Sequence, residues 1–297
     1  MRIAIAGASG MIGHALMAYW GQLGHSIHRL VRDEPGESTD IPWEPSLGRL
    51  VPAQMEGFDA VVCLSGAGIA DARWTPARKE VLRNSRVDTV STVAKALAAC
   101  TDKPECLICA SAVGIYGADR GMEVLSEDSD PGTDFLGTLC SEWEAAADPA
   151  RAAEIRVVHL RFGIVLSGDG GALKRMLPVF KLGLGGKLGS GRQMMSWVTL
   201  DDVVNAADFI LQAEALEGPV NVASPHPVSN EALSKALGRV LRRPAFARVP
   251  EFVLRTAMGE SADLLLGSVR VFPRRLEEAG FRFRTPDIES ALSSALK

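Results

Sequence analysis

Three glycines near the start of the chain have the spacing that a phosphate-binding turn needs. Gly7, Gly10 and Gly13 follow the apolar run Arg2–Ala6 at once and open the amphipathic run Met11–Leu23. The first glycine permits a tight turn, the second lets the backbone approach a diphosphate, and the third lets helix and strand pack closely, so that N–H groups at the helix start face the anion. A strand, this turn and a helix therefore predict a dinucleotide site. The other residues that we expect to line the turn are Ser9, Met11 and Ile12.

The end of the second predicted strand indicates which nucleotide is bound. The apolar run Ser26–Val31 is followed by Arg32, and Arg29 lies nearby. A guanidinium suits a ribose 2′-phosphate far better than a 2′-hydroxyl, which an acidic residue would hold. We therefore predict NADP(H). Asp33, one position later, keeps NAD(H) open as an alternative, and Arg32 could also be a solvated cation at a strand end.

The rest of the chain alternates predicted strands and helices. The further predicted strands are Asp59–Leu64, Cys106–Ala112, Arg156–Phe162 and Val220–Ala223. The predicted helices between and after them are Pro76–Cys100, Phe135–Ala147 and Val203–Glu214. This βαβ alternation predicts an α/β fold of the Rossmann type, a doubly wound parallel sheet. We assign residues 1–225 to this domain and residues 226–297, where the chain becomes a helical tail, to a small C-terminal α+β region.

Three predicted loops adjoin these elements. Ser65 and Gly66 follow a strand, where small residues let a cofactor lie against the backbone. The segment Asp33–Pro52 is rich in proline, glycine and acid, which predicts a loop. The glycine-dense segment Gly183–Gly191 is either a flexible surface loop or a substrate contact, and together with Trp197 it favours a shaped pocket.

Composition narrows the class of protein. The chain has 297 residues, of which 47% are hydrophobic and 23% charged, which is ordinary for a globular protein with ample core. The net charge of −4 gives no basic footprint for nucleic acid. No apolar run reaches membrane-spanning length, and the chain starts in a strand rather than a signal peptide. Five cysteines without a framework spacing fit a reducing compartment, so we expect a cytoplasmic protein with a small-molecule substrate.

Several sequence blocks resemble one branch of the extended short-chain dehydrogenase/reductase superfamily. They are LSGAGIADARW (Leu64–Trp74), NSRV (Asn84–Val87), SAVGIYG (Ser111–Gly117), DFLGTLCSEWE (Asp134–Glu144), LRFGIVLSGDGGALKRMLP (Leu160–Pro178), LGLGGKLGSGRQMMSWVTLDDVV (Leu182–Val204) and VRVFPRRLEEAGFRF (Val269–Phe283). Together they look like the atypical "epimerase family" proteins, which are NAD-dependent epimerase/dehydratase-like and carry a short C-terminal domain of unknown function. The resemblance implies an NADP-type cofactor and an unassigned substrate. It also implies that the cofactor site is lined by Val31, Arg32, Leu64, Ser65, Arg86, Gly163 and Ile164.

The chain departs from this superfamily at the catalytic residues. Ordinary members use a Ser or Thr together with a Tyr and a Lys spaced YxxxK, and these groups move the proton as hydride moves. The only tyrosines are Tyr19 and Tyr116, and neither has a lysine four positions on. Alignment of the helix that normally carries the pair puts Leu136 at the tyrosine and Cys140 at the lysine. The standard proton relay is therefore predicted to be absent.

Three residues are candidates for the missing chemistry. Ser111 adjoins Ala112, which falls at the usual serine, and could be the remaining hydroxyl. Cys140 could act as an acid, although a small core residue is the alternative. Tyr116 could reach the pocket, or could only pack. We predict an NADP(H)-dependent oxidoreductase or epimerase-like enzyme without a metal, and as the alternative a catalytically inactive nucleotide-binding sensor or scaffold.

Overall fold

A seven-stranded parallel sheet organises the structure, a computed structural model that describes residues 1–285 and 287–296. In chain order the strands are β1 (Arg2–Ala6), β2 (Ser26–Val31), β3 (Asp40–Pro42), β4 (Ala60–Cys63), β5 (Cys106–Ala112), β6 (Val124–Leu125), β7 (Arg156–Phe162), β8 (Ile164–Leu166), β9 (Gly186–Leu188), β10 (Met194–Met195), β11 (Trp197–Thr199), β12 (Gly218–Val222), β13 (Val228–Ser229), β14 (Ala247–Val249) and β15 (Arg270–Val271). The order across the main sheet is β3-β2-β1-β4-β5-β7-β12. From β1 the chain moves outward through β2 to β3, and it then crosses to β4 on the other side of β1. The switch point therefore lies between β1 and β4.

Helices cover both faces of the sheet. They are α1 (Met11–Gln22), α2 (Pro76–Ala98), α3 (Phe135–Ala145), α4 (Asp148–Ala152), α5 (Gly171–Lys181), α6 (Leu200–Gln212), α7 (Asn230–Leu241), α8 (Glu251–Met258), α9 (Asp263–Leu266), α10 (Arg274–Glu278) and α11 (Ile288–Ala295). Single 3₁₀ turns occur at Pro45–Leu47, Pro52–Gln54, Val113–Tyr116 and Gly259–Ala262. Among the helices of the described ranges, none is both long and apolar enough to cross a membrane. The predicted doubly wound Rossmann fold is confirmed.

Alternate residues of β1 feed two separate cores. Ile3 and Ile5 pack with α1 and α6 on one face, whereas Ala4 and Ala6 pack with α2 and α4 on the other. This is the burial that a central parallel strand needs, because both of its faces are covered by helices. The two faces separate Cys106 from Cys109, which belong to different cores and are both buried, as expected for positions i and i+3 of a strand.

The edge strand β3 lies inside the segment that the sequence predicts to be a loop. Residues Asp40–Pro42 pair with β2, and the side chain of Arg29 on β2 donates two hydrogen bonds, of 2.7 and 2.9 Å, to the carboxylate of Asp40. The Arg29 guanidinium lowers the pKa of the Asp40 carboxyl to about 2. A cross-strand ion pair therefore stabilises a strand too short to show a sequence pattern.

A smaller lobe is built from segments on both sides of residue 225. Strand β9 pairs with β14 and β10 pairs with β13, so residues before and after the predicted boundary interleave. The predicted division at 225 and 226 stays a prediction. The segment Gly183–Gly191 is not simply a loop, because it contains β9. Trp197, which the sequence associates with a shaped pocket, is fully buried, and its indole N–H donates to the carbonyl oxygen of His226 at 3.1 Å.

Candidate cofactor site

The glycine turn after β1 has the close packing that its spacing predicts. Gly7 has a φ of +85°, which only glycine adopts without strain, and a Cβ there would lie 2.8 Å from the Ser65 nitrogen. A Cβ on Gly13 would overlap the carbonyl oxygen of Gly7 and lie 2.8 Å from the Cα of Ala8. The two glycines therefore let α1 approach both β1 and the backbone that follows β4. Gly10 closes the turn by donating to the Gly7 oxygen at 3.1 Å.

The start of α1 is open to an anion. Gly10 is the residue before the helix and supplies no side-chain cap. The first turn, which begins with Met11 and Ile12, contains no acidic residue. Helix N–H groups at this end lack partners within the helix, and the helix dipole favours negative charge there. Ser9 and Gly10 are exposed, so a phosphate can reach these N–H groups.

The turn after β4 lies directly against the glycine turn and is held from α2. The Ser85 hydroxyl accepts the N–H of Ala67 at 3.0 Å, and the Arg86 guanidinium donates to the carbonyl oxygen of Ala67 at 3.0 Å. A Cβ on Gly66 would meet the Arg86 side chain at 3.4 Å. The NSRV block thus fixes the backbone beside Leu64 and Ser65.

Arg86 is a buried cation rather than part of a solvated basic face of α2. Its guanidinium also donates to the Leu82 carbonyl oxygen at 2.9 Å and lies 5.1 Å from the centre of the Trp143 ring. No ion pair joins Arg86 to a carboxylate in residues 1–285 or 287–296, and burial lowers the pKa of the group. A buried unpaired charge is unfavourable, so this residue favours an anion or a dipole beside it.

The end of β2 presents one free guanidinium. Arg29 is held by Asp40, as described above, and is not available to a ligand. Arg32 is exposed and, within the described ranges, makes neither a hydrogen bond nor an ion pair. Val31 ends β2 and pairs with Pro42. Of the two arginines that the sequence brings to this strand, only Arg32 can meet a 2′-phosphate.

Gly163 and Ile164, which are predicted to contact the cofactor, follow β7, on the same side of the switch point as β4 and β5. The Gly163 N–H donates to the Val222 oxygen at 3.1 Å, and the Ile164 N–H donates to the Ser196 oxygen at 2.8 Å. A Cβ on Gly163 would lie 2.9 Å from that same Ser196 oxygen. Gly163 is therefore buried by close backbone packing, while Ile164 is half-buried at the carboxyl edge of the sheet.

The three predicted catalytic residues lie behind this edge and are buried. The Ser111 hydroxyl donates to Glu144 Oε1 at 2.6 Å, and Arg161 donates to both oxygens of Glu144 at 2.9 Å. The Tyr116 hydroxyl donates to Asn221 Oδ1 at 2.7 Å and accepts from Arg161 at 3.0 Å. One buried polar network thus engages both hydroxyls.

Burial also sets the acidity of these groups. Burial raises the pKa of Cys140 to about 12, with the nearby Glu144 acting in the same direction. Burial raises the pKa of Tyr116 as well, against the opposing effect of Arg161. A thiol and a phenol of this kind hold their protons at neutral pH and are poor proton donors. The catalytic roles of Ser111, Tyr116 and Cys140 stay predictions, and this geometry weighs against them.

The partners of this network were not predicted from the sequence. Glu144 and Arg161 lie 17 residues apart on α3 and β7. The signal that could have found them was a polar side chain and a charged one, His159 and Arg161, inside a strand predicted to lie in the centre of the sheet, because a buried charge needs a partner. In the described part of the chain, no group of three His, Cys, Asp or Glu side chains is placed to hold a metal ion.

Comparisons with known proteins match the whole chain. The model of the NAD dependent epimerase/dehydratase family matches residues 3–223, and a domain of unknown function, DUF1731, matches residues 249–295. Epimerase family protein Mb2239 of Mycobacterium bovis is 44% identical over 295 residues, covering 99% of this chain and 97% of that protein. The chloroplastic SDR39U1 homolog of Arabidopsis thaliana is 34% identical, covering 100% of this chain and 87% of that protein.

A solved structure extends the comparison to three dimensions. The crystal structure of human epimerase family protein SDR39U1 (isoform 2) with NADPH has a TM-score of 0.91 and 31% sequence identity, and covers 100% of this chain and 99% of that chain. The fold, the glycine turn and these matches agree. The chain belongs to the NAD-dependent epimerase/dehydratase family.

Proposed function

We propose that the protein binds NADP(H) and acts as an oxidoreductase or epimerase-like enzyme on an unidentified small substrate. One observation carries the proposal: an uncapped helix N-terminus at the switch point of the sheet has a free guanidinium, Arg32, at the end of the next strand. The human relative whose structure contains NADPH supports the same nucleotide. NAD(H) remains the alternative through Asp33.

The residues present fit such a cofactor. The glycine turn has no room for a Cβ at Gly7 or Gly13, and the first turn of α1 is open to the diphosphate. Arg32 would pair with the 2′-phosphate. Leu64, Ser65 and Gly66 would support the ligand along its length, and Arg86 would face its negative charge. A bound NADPH would supply hydride. The chain's own residues would bind and orient it, and the predicted proton donors are buried.

Replacing Arg32 by alanine should weaken NADPH binding roughly tenfold to a hundredfold, because charge-assisted hydrogen bonds to the 2′-phosphate are lost. NADH lacks that phosphate, so its affinity should hardly change. Nicotinamide fluorescence titrations of the wild type and of Arg32→Ala, each with NADPH and with NADH, measure the ratio of the two affinities. Arg49→Ala is a matched control, because Arg49 is an exposed arginine that pairs with Glu44. Unchanged NADPH affinity in Arg32→Ala would remove the argument for NADP(H).

A second function is favoured by a specific observation. Ser111 and Tyr116 are hydrogen-bonded inside the protein, and Cys140 is buried. The family resemblance puts Leu136 at the position of the usual tyrosine. A protein that binds the nucleotide but has no proton donor at the edge of the sheet would be a sensor or scaffold rather than an enzyme.

Oxidation of bound NADPH separates the two functions. The purified protein, saturated with NADPH, is screened with small carbonyl compounds while nicotinamide absorbance is followed. Turnover of any of these compounds identifies an enzyme. Cys140→Ser then tests the thiol, because unchanged turnover would exclude Cys140 as the acid. Tight binding without oxidation across a broad screen favours the sensor.

We also propose a cytoplasmic location, although the Arabidopsis relative is described as chloroplastic.

A further inference from the structure

Two segments, which we call walls, pack beside the open start of α1 and border a crevice. One is the turn after β4, whose Ser65 nitrogen is 2.8 Å from where a Gly7 Cβ would lie. The other is the start of α5, where a Cβ on Gly170 would lie 2.7 Å from the sulfur of Met11. Because α1 and α2 leave the switch point toward opposite faces of the sheet, the crevice between them is where a dinucleotide lies in this fold.

The side chain of Arg175 bridges these walls. Arg175 on α5 donates to the carbonyl oxygen of Ala70 at 2.6 Å and forms an ion pair with Asp71, both in the turn after β4. We propose that the Arg175–Asp71 pair is a latch across the cofactor crevice, which must open when a dinucleotide enters or leaves. This inference rests on the proposed function.

Hydrogen bonds hold the turn after β4 on either side of its tip. Arg78 donates to the Gly68 oxygen at 2.6 Å on one side of the tip, and Arg73 donates to the Ala257 oxygen at 2.7 Å on the other. Both contacts anchor the turn without involving α5. Arg175 contacts two residues between these anchors, Ala70 and Asp71, so the proposed opening would require this short segment to move.

The pair itself suits repeated opening. The side chains of Arg175 and Asp71 are 57% and 51% exposed, so solvent weakens their attraction. Asp71 also lies 3.9 Å from Arg78, which gives its carboxylate a second cationic neighbour when Arg175 leaves. The closed state is therefore favoured only slightly, as a latch requires.

The latch predicts the same kinetic change from either partner. Asp71→Asn and Arg175→Met should each speed both association and dissociation of NADPH, roughly two- to fivefold, which is the size that an exposed ion pair can supply. The dissociation constant should stay within about twofold, because opening affects both rates. Stopped-flow nicotinamide fluorescence measures them, with Glu289→Gln as the control. Glu289 pairs with Arg239 at similar exposures, 48% and 59%, and this pair joins α11 to α7 rather than α5 to the turn after β4.

The competing role of Arg175 gives a different result. If Arg175 held a cofactor phosphate directly, Arg175→Met would weaken NADPH binding while Asp71→Asn, which frees the arginine, would tighten it. That opposite pair of effects would overturn the latch, and so would wild-type rates in both variants. A wild-type protein that binds neither NADPH nor NADH would instead contradict the proposed function, and the latch with it.

Discussion

Gly13→Ala should lower NADPH affinity at least tenfold and reduce the free energy of unfolding by about 1–3 kcal/mol, the usual effect of overpacking. A Cβ at this position would overlap the Gly7 carbonyl oxygen and lie 2.8 Å from the Ala8 Cα. Both neighbours are backbone, so the glycine turn itself must shift. A shift that removes 1.4 kcal/mol of binding free energy lowers the affinity tenfold. Fluorescence titration and urea denaturation measure the two effects.

Gly21→Ala is the matched control on the same helix. A Cβ on Gly21 would have nothing within 4 Å. Alanine should therefore stabilise α1 by about 0.5–1 kcal/mol, because glycine loses more conformational freedom in a helix. NADPH affinity should not change. If Gly13→Ala behaved like Gly21→Ala in both measurements, the close packing of the glycine turn could not be what forms the site.

Glu144→Gln should reduce the free energy of unfolding by about 3–5 kcal/mol, because it leaves a buried arginine without its counter-charge. The side chains of Arg161 and Glu144 are only 9% and 14% exposed. Glutamine keeps the shape and one acceptor for Ser111 but removes the charge. Urea denaturation gives the change in midpoint.

Glu142→Gln on the same helix separates burial from pairing. Glu142 also pairs with an arginine, Arg83, but these side chains are 39% and 49% exposed. Its loss should change the free energy of unfolding by no more than about 1 kcal/mol. Equal effects of the two substitutions would contradict the role of the buried network in stabilising the carboxyl edge of the sheet.

The same pair predicts how stability depends on pH. Burial alone would raise the pKa of Glu144, but hydrogen bonds and charge from Arg161 overcome burial and hold the pKa below its ordinary value. A carboxyl whose folded pKa is depressed stabilises the fold above its unfolded pKa, roughly 4.3. That stabilisation is lost as pH falls through the folded pKa. The wild type should lose stability in acid over a range in which Glu144→Gln loses less.

Four strands of the central sheet could be predicted because each is a run of five to seven residues rich in apolar side chains. Arg2–Ala6, Ser26–Val31, Cys106–Ala112 and Arg156–Phe162 have the same bounds in the structure as in the prediction. Arg2–Ala6 and Cys106–Ala112 are nearly continuous apolar and buried runs, which is the pattern of a strand covered on both faces. Ser26–Val31 is mostly half-buried, and Arg156–Phe162 carries buried charged and polar side chains among its apolar residues. The close-packed glycine turn could also be predicted, because the residues that form it are near one another in sequence.

Elements fixed by distant partners could not be predicted. Strand β3 is three residues long and depends on a neighbour, Arg29, for its ion pair. Strand β9 lies among glycines because Gly186 packs against the backbone of Ala247, 61 positions later by their numbers. Short strands of this kind have no periodicity of their own and are defined by their partners.

The predicted catalytic residues show the same limit. The family resemblance singles out Ser111, Tyr116 and Cys140 as candidates, and their catalytic roles stay predictions. The hydroxyls of Ser111 and Tyr116 are oriented by Glu144, Arg161 and Asn221, which come from three other elements. A polar residue near the edge of a sheet can serve a ligand or an internal network, and the sequence does not distinguish them.

Titration of the purified wild-type protein with NADPH and with NADH tests the central claim most directly. Nicotinamide fluorescence reports binding without any assumption about substrate or catalysis. The open start of α1 and the free guanidinium of Arg32 predict that both nucleotides bind, with NADPH at least tenfold tighter. Equal affinities would contradict the role of Arg32, and binding of neither nucleotide would contradict the assignment of the glycine turn as a cofactor site.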